Sequence, residues 1–130
     1  MVRLRQAEPS AHIWVDMYTV FVVTKALEIF RALADQLGTI GGINALAWSI
    51  CLISRMLIKQ DPAKALAKIS ECHQMSSVLS GPDQRDLKIL DTAATVWEVT
   101  SESLRALDRR AEADVAQLKA EAIRERIAGA

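Results

Sequence analysis

Apolar residues in this chain recur at spacings of three and four, and no stretch alternates cleanly between apolar and polar. That periodicity predicts helices and no sheet. Glycine and proline divide the chain into four predicted helices, over residues 10–37, 40–59, 62–80 and 83–128, behind a polar tail at 1–9.

The first helix is expected to open at Pro9-Ser10, where serine can cap and proline suits the first turn, and to stop at Gly38. From Met17 to Val23 its apolar residues cover nearly the whole circumference. A helix of this kind is buried on several sides. It is either the centre of a bundle or covered by a second subunit.

The second helix starts at Thr39 or Gly41, and the stretch from Gln36 to Ser54 carries no charge. Its length is that of a membrane span. Asn44, Ser49 and Ser54 inside it and Arg55 directly after it argue for a buried core helix instead. Gly38, Gly41, Ala45 and Ser49 share one face, which is expected to let another helix approach closely.

Asp61-Pro62 gives the third helix an N-cap oxygen followed by a proline at the first helical position. Ala65, Leu66, Ile69, Cys72, Ser76 and Leu79 form its inner stripe, with Lys64, Lys68 and Glu71 on the wet side. The short break before it predicts an antiparallel hairpin with helix two. The segment Ile58 to Leu66 resembles the helix junction of tetratricopeptide repeats. It covers under a tenth of the chain, and no second copy follows at the period of about 34 residues that such arrays require, so no repeat array is expected.

Gly81-Pro82-Asp83 is expected to end helix three and cap helix four. From there to Gly129 no glycine or proline interrupts the chain, which predicts one long helix or two nearly collinear ones. A heptad-like seam runs Leu87, Leu90, Ala94, Trp97, Ser101, Leu104, Asp108, Ala111, Val115, Leu118, Ala122. Thr92, Thr95, Thr100, Ser101 and Ser103 weaken its middle and place a candidate kink near 99–103. Beyond Arg105 the helix is laced with both charge signs and keeps only a thin apolar stripe, so it needs a partner surface. The candidate oligomer interface is therefore Leu104, Leu107, Ala111, Val115, Leu118, Ala122 and Ile123. In the rival arrangement, the tail folds back onto its own bundle through a bend near Thr100–Ser103.

Sixteen basic residues balance sixteen acidic ones, for a formal net charge of zero. That removes the simplest argument for a nucleic-acid partner and does little against self-association. At 130 residues, 51% of them hydrophobic, one globular domain over 1–130 is expected. Cys51 and Cys72 both fall within apolar helical patterns, as free buried thiols do, and point to a reducing compartment, hence a cytoplasmic location. Arg3 and Arg5 precede an apolar run, but Asp16 interrupts it and no small-residue cleavage site closes it, so no secretory signal is expected. The alanine- and arginine-rich tail suggests a bacterial or phage origin.

Few residues offer chemistry. His12 and Asp16 share a face, but two ligands do not make a metal site. Cys72 and His73 are sequence neighbours and so point apart on a helix; a thiol–imidazole pair needs a tertiary contact, such as Cys51 with His73. Gly38-Thr39-Ile40-Gly41-Gly42 lacks the strand and lysine of a phosphate loop. The aromatics Trp14, Tyr18, Phe21, Trp48 and Trp97 are core bulk or the lining of a ligand pocket between helices.

The chain is thus expected to be an all-α protein, a small bundle of about four helices with a long C-terminal helix. The function expected is non-enzymatic: a homo-oligomeric module for protein–protein interaction or regulation, pairing with itself and with another protein, without cofactor, metal or nucleic acid. The alternatives are a small-ligand-binding bundle and, less favoured, a membrane-associated protein using residues 36–54.

Overall fold

The computed structural model describes the backbone of residues 10–37 and 39–130, and the side chains of 17–29, 31–32 and 39–130. Among the described residues the chain is all-α, with six helices rather than about four: α1 Ser10–Leu37, α2 Ile40–Leu57, α3 Pro62–Ser70, α4 His73–Leu79, α5 Leu87–Ala106 and α6 Arg110–Ala128.

Side-chain oxygens open α2 and α3 by meeting free amides, of which the Asp61 cap is the one expected; the side-chain cap expected at Pro9-Ser10 lies outside the described residues. Thr39 accepts from the Gly42 amide at 3.1 Å and opens α2. Asp61 accepts from the Lys64 amide at 3.1 Å, with Pro62 beginning α3. The expected third helix is interrupted at Glu71-Cys72, where the Cys72 amide bonds back to the Ile69 carbonyl at 2.9 Å in a tighter turn. Its stripe survives the break: Ala65, Ile69, Cys72, Ser76 and Leu79 are all buried. The cap of the next helix is Asp86, not Asp83. The Asp86 carboxylate accepts from the Lys88 and Ile89 amides, and the helix begins at Leu87.

The centre of the bundle is α5, which packs against α2, α3, α4 and α6. Its small and hydroxyl side chains make this close approach feasible. Ala93 and Ala94 are fully buried. Thr95, Thr100 and Ser103 donate to the carbonyls one turn back, at 2.8, 2.8 and 2.9 Å, so burial leaves none of these three hydroxyl protons unmet. The hydroxyl-rich middle therefore stays helical, and the bend expected at 99–103 does not form there.

The chain reverses instead at Leu107–Arg109. Asp108 adopts φ 59°, the left-handed region. The Asp108 amide bonds to the Arg105 carbonyl at 3.0 Å and the Arg109 amide to the Leu104 carbonyl at 2.9 Å. This is the Schellman pattern of helix termination, with aspartate where glycine is usual. It sends α6 back along α5, so the two are neither one helix nor collinear. Ala113, Ala116, Ala120 and Ile123 form the buried face of α6. Ser101 donates across the pair to the Ala113 carbonyl at 2.9 Å. Arg124 reaches back to both Glu98 oxygens, at 3.0 and 2.9 Å, and to Asp91.

The first helix is not the bundle centre. It packs on α2, and among its described side chains only Leu27 is fully in the core, with Val23 beside it. By length and composition α2 could cross a membrane. Its Leu46, Ala47, Ile50, Cys51, Ile53 and Leu57 are nonetheless buried within the fold. The proposed small face of α2 is only partly used. Ser49 is buried and bonds to the Ala45 carbonyl at 3.0 Å. Gly41 is exposed, and a methyl group there would meet only the Thr39 hydroxyl at 4.0 Å. Gly38 lies outside the described residues.

Candidate functional site

The α5–α6 reversal builds a cleft that no single segment could form. His73 at the start of α4, Trp97, Thr100 and Leu104 of α5, and Glu112, Val115, Ala116 and Lys119 of α6 line an open, shallow cleft of about 330 Å³. The His73 and Trp97 rings stack with centroids 4.2 Å apart and planes 20° apart. The Lys119 ammonium lies over the Trp97 indole at 4.3 Å, a cation–π distance.

The hydrogen bonds fix the histidine tautomer. The Thr100 hydroxyl gives its one proton to the Val96 carbonyl at 2.8 Å, so it can only accept from His73 Nε2 at 2.9 Å. Nε2 carries the proton and Nδ1 keeps a lone pair. Burial, and secondarily the charge of Lys119, hold the His73 pKa below the ordinary histidine value of 6.5, which favours the neutral ring. At the rim both Glu112 oxygens are taken by Arg109, at 2.9 and 2.6 Å. That pairing lowers the Glu112 pKa. Lys119 has no carboxylate partner among the described residues.

Of the five aromatics read as a candidate pocket, this cleft takes Trp97 alone. Tyr18 and Phe21 are exposed on α1, and Trp48 on α2. The Trp14 side chain, like those of His12 and Asp16, lies outside the described residues. The sequence offers no local sign that His73 or Lys119 belongs with Trp97, because 24 and 22 positions separate them and only the hairpin brings them together.

The candidate interface residues divide. Leu104 is buried against Ala113 and Ala116, and Ile123 is part of the main core. Leu107 is half-buried, while Ala111, Val115, Leu118 and Ala122 face outward.

The remaining candidates place no reactive centre. Cys51 and Cys72 are free and buried. Burial pushes the Cys51 thiol up to about 12 and raises Cys72 as well, so neither presents a thiolate nucleophile at neutral pH. His73 turns to Trp97 and Thr100 instead of pairing with a thiol. Among the described residues no group of three or more His, Cys, Asp or Glu could hold a metal ion. Two other clefts, of about 320 and 240 Å³, lie beside Arg126 and between α1 and α3. The first is floored by a structural clasp, in which Arg126 donates to the Ser80 and Gly81 carbonyls at 2.6 and 2.9 Å. No family model, curated protein or solved structure gives a significant match to this chain.

Proposed function

We propose that the chain is a non-enzymatic, cytoplasmic, homo-oligomeric helical module that acts through protein–protein interaction. The reading rests on the outward face of α1. Met17, Tyr18, Phe21, Val22 and Ile29 are 44–69% exposed along it. Their spacing is that of an amphipathic helix whose larger apolar face is turned away from its own bundle. Met17, Tyr18, Phe21 and Val22 cluster on successive turns, with the Lys25–Glu28 ion pair between them and Ile29, and an exposed apolar cluster rimmed by charge is characteristic of interaction sites. A helix apolar on most sides needs a bundle or a partner around it, and α5, not α1, occupies the bundle centre. Twofold pairing through α1, with Trp48 and Leu52 of α2 as further exposed apolar residues, is the economical solution. Val115 and Leu118 on α6 form a smaller second patch, the large side chains of the sequence-derived interface that stay exposed.

Light scattering after size exclusion tests this directly. A mass of two chains or more at micromolar concentration is expected, and a single-chain mass would overturn the reading. Tyr18→Asp with Phe21→Asp is expected to release monomers, because both side chains are exposed and their loss leaves the core intact. If Val115→Asp with Leu118→Asp does so instead, the interface lies on α6.

A further inference from the structure

The cleft around Trp97 is independent of the α1 surface and has its own chemistry. Its volume, about 330 Å³, is at the small end of ligand pockets. Its walls are apolar at Trp97, Leu104, Val115 and Ala116. Two charged side chains line it, and they are not equivalent. Glu112 is already saturated, with both oxygens on Arg109. Lys119 is exposed and hydrated, its ammonium resting over an indole face with no carboxylate paired to it among the described residues. A cation resting on a ring at a pocket mouth gains most from an anion that brings its own apolar body.

We propose that this cleft binds a small aromatic carboxylate, whose carboxylate pairs with Lys119 and whose ring packs against Leu104, Val115 and the edge of Trp97, beside the stacked His73. His73 is neutral, with Nε2 bonded to Thr100 and Nδ1 an acceptor, so the charge that pairs with the anion comes from Lys119 and not from the imidazole. An organic cation would have to displace Lys119 from the indole and compete with Arg109 for Glu112.

Benzoate is the probe and benzyl alcohol its neutral counterpart. In a Trp14→Phe/Trp48→Phe background Trp97 is the sole tryptophan, and its fluorescence should change saturably with benzoate. Benzyl alcohol should bind about tenfold more weakly or worse, and Lys119→Gln should weaken benzoate by a similar factor, the usual scale for a lost charge-assisted hydrogen bond. The His73 ring signals of the unaltered chain, followed by NMR, give the same readout without relying on the fold of the double variant. Absence of saturation by both probes of the site would overturn the proposal. Equal binding of benzoate and benzyl alcohol, or of benzoate to the parent and to Lys119→Gln, would overturn the anion assignment.

Discussion

The amide of Arg109 donates to the carbonyl of Leu104 at 2.9 Å, across an Asp108 held at φ 59°. This one bond closes α5 and turns the charged C-terminal segment back as α6. Residues with a Cβ carry a penalty in the left-handed region that glycine avoids. Asp108→Gly is therefore expected to stabilise the protein by about 0.5–1 kcal/mol, read as a higher urea midpoint with an unchanged slope. Asp108→Val should lower the midpoint by more than Asp108→Gly raises it, because a β-branched residue resists this conformation most.

Arg124 is the second anchor of the hairpin. It makes a two-pronged bond to Glu98 and a further one to Asp91, and these side chains are 27–48% exposed. Solvent screening limits the contribution of such partly exposed pairs. Arg124→Ala is expected to cost about 1 kcal/mol, with Arg124→Lys recovering only part, because an ammonium cannot reproduce the planar fork. Repeating the melts at high salt should shrink the difference.

The caps separate two neighbouring aspartates. Asp86 accepts two helix amides and Asp61 accepts one. Asp86→Ala and Asp61→Ala should each destabilise by about 1 kcal/mol, the usual cost of a lost N-cap. Asp83→Ala, at an exposed position before the helix, should stay within about 0.5 kcal/mol. Thermal midpoints of the three variants beside the parent decide the assignment.

His73 makes stability depend on pH in a known direction. Its folded pKa lies below the unfolded value of 6.5. The neutral ring's contribution is complete above 6.5, and it is lost as pH falls from there through the folded value, since the unfolded chain takes up the proton first. The bond to Thr100 survives protonation, because Nε2 remains a donor. Urea midpoints between pH 7.5 and 5 should therefore fall less steeply in His73→Gln than in the parent, and an identical slope would exclude the assignment.

Gly41 was expected to sit in a tight helix contact, but its surroundings are open to a side chain. Gly41→Ala should therefore raise stability by about 0.5 kcal/mol, through the smaller conformational freedom of the unfolded chain. A drop in the melting midpoint would restore the close-packed face.

Much of the architecture was local and so legible in the chain. Asp61-Pro62 caps α3 because a carboxylate three residues from a free amide needs nothing else nearby. The stripe from Ala65 to Leu79 is buried as its spacing indicates, even across the break at Glu71-Cys72, because the turn there keeps the phase. The seam from Leu90 through Leu104 likewise points inward.

Beyond Leu104 the sequence pattern did not record the face that packs, for a physical reason. Hydrophobic periodicity weighs large side chains, so it marked Val115 and Leu118, as a stripe for a partner chain, and not the small residues that pack on α5. The tertiary structure buries Ala113, Ala116 and Ala120 instead, because α6 lies close enough for Ser101 to reach the Ala113 carbonyl, and only small side chains fit between. The reversal itself depends on Asp108, a residue without glycine's signal, whose unusual backbone is held by the hairpin it creates. The sequence by itself determined the all-α class, the Asp61 cap and the stripes of α3, α4 and α5. Which way the last helix runs, and hence the meeting of His73, Trp97 and Lys119, was decided by contacts between residues more than twenty positions apart, which no local period records.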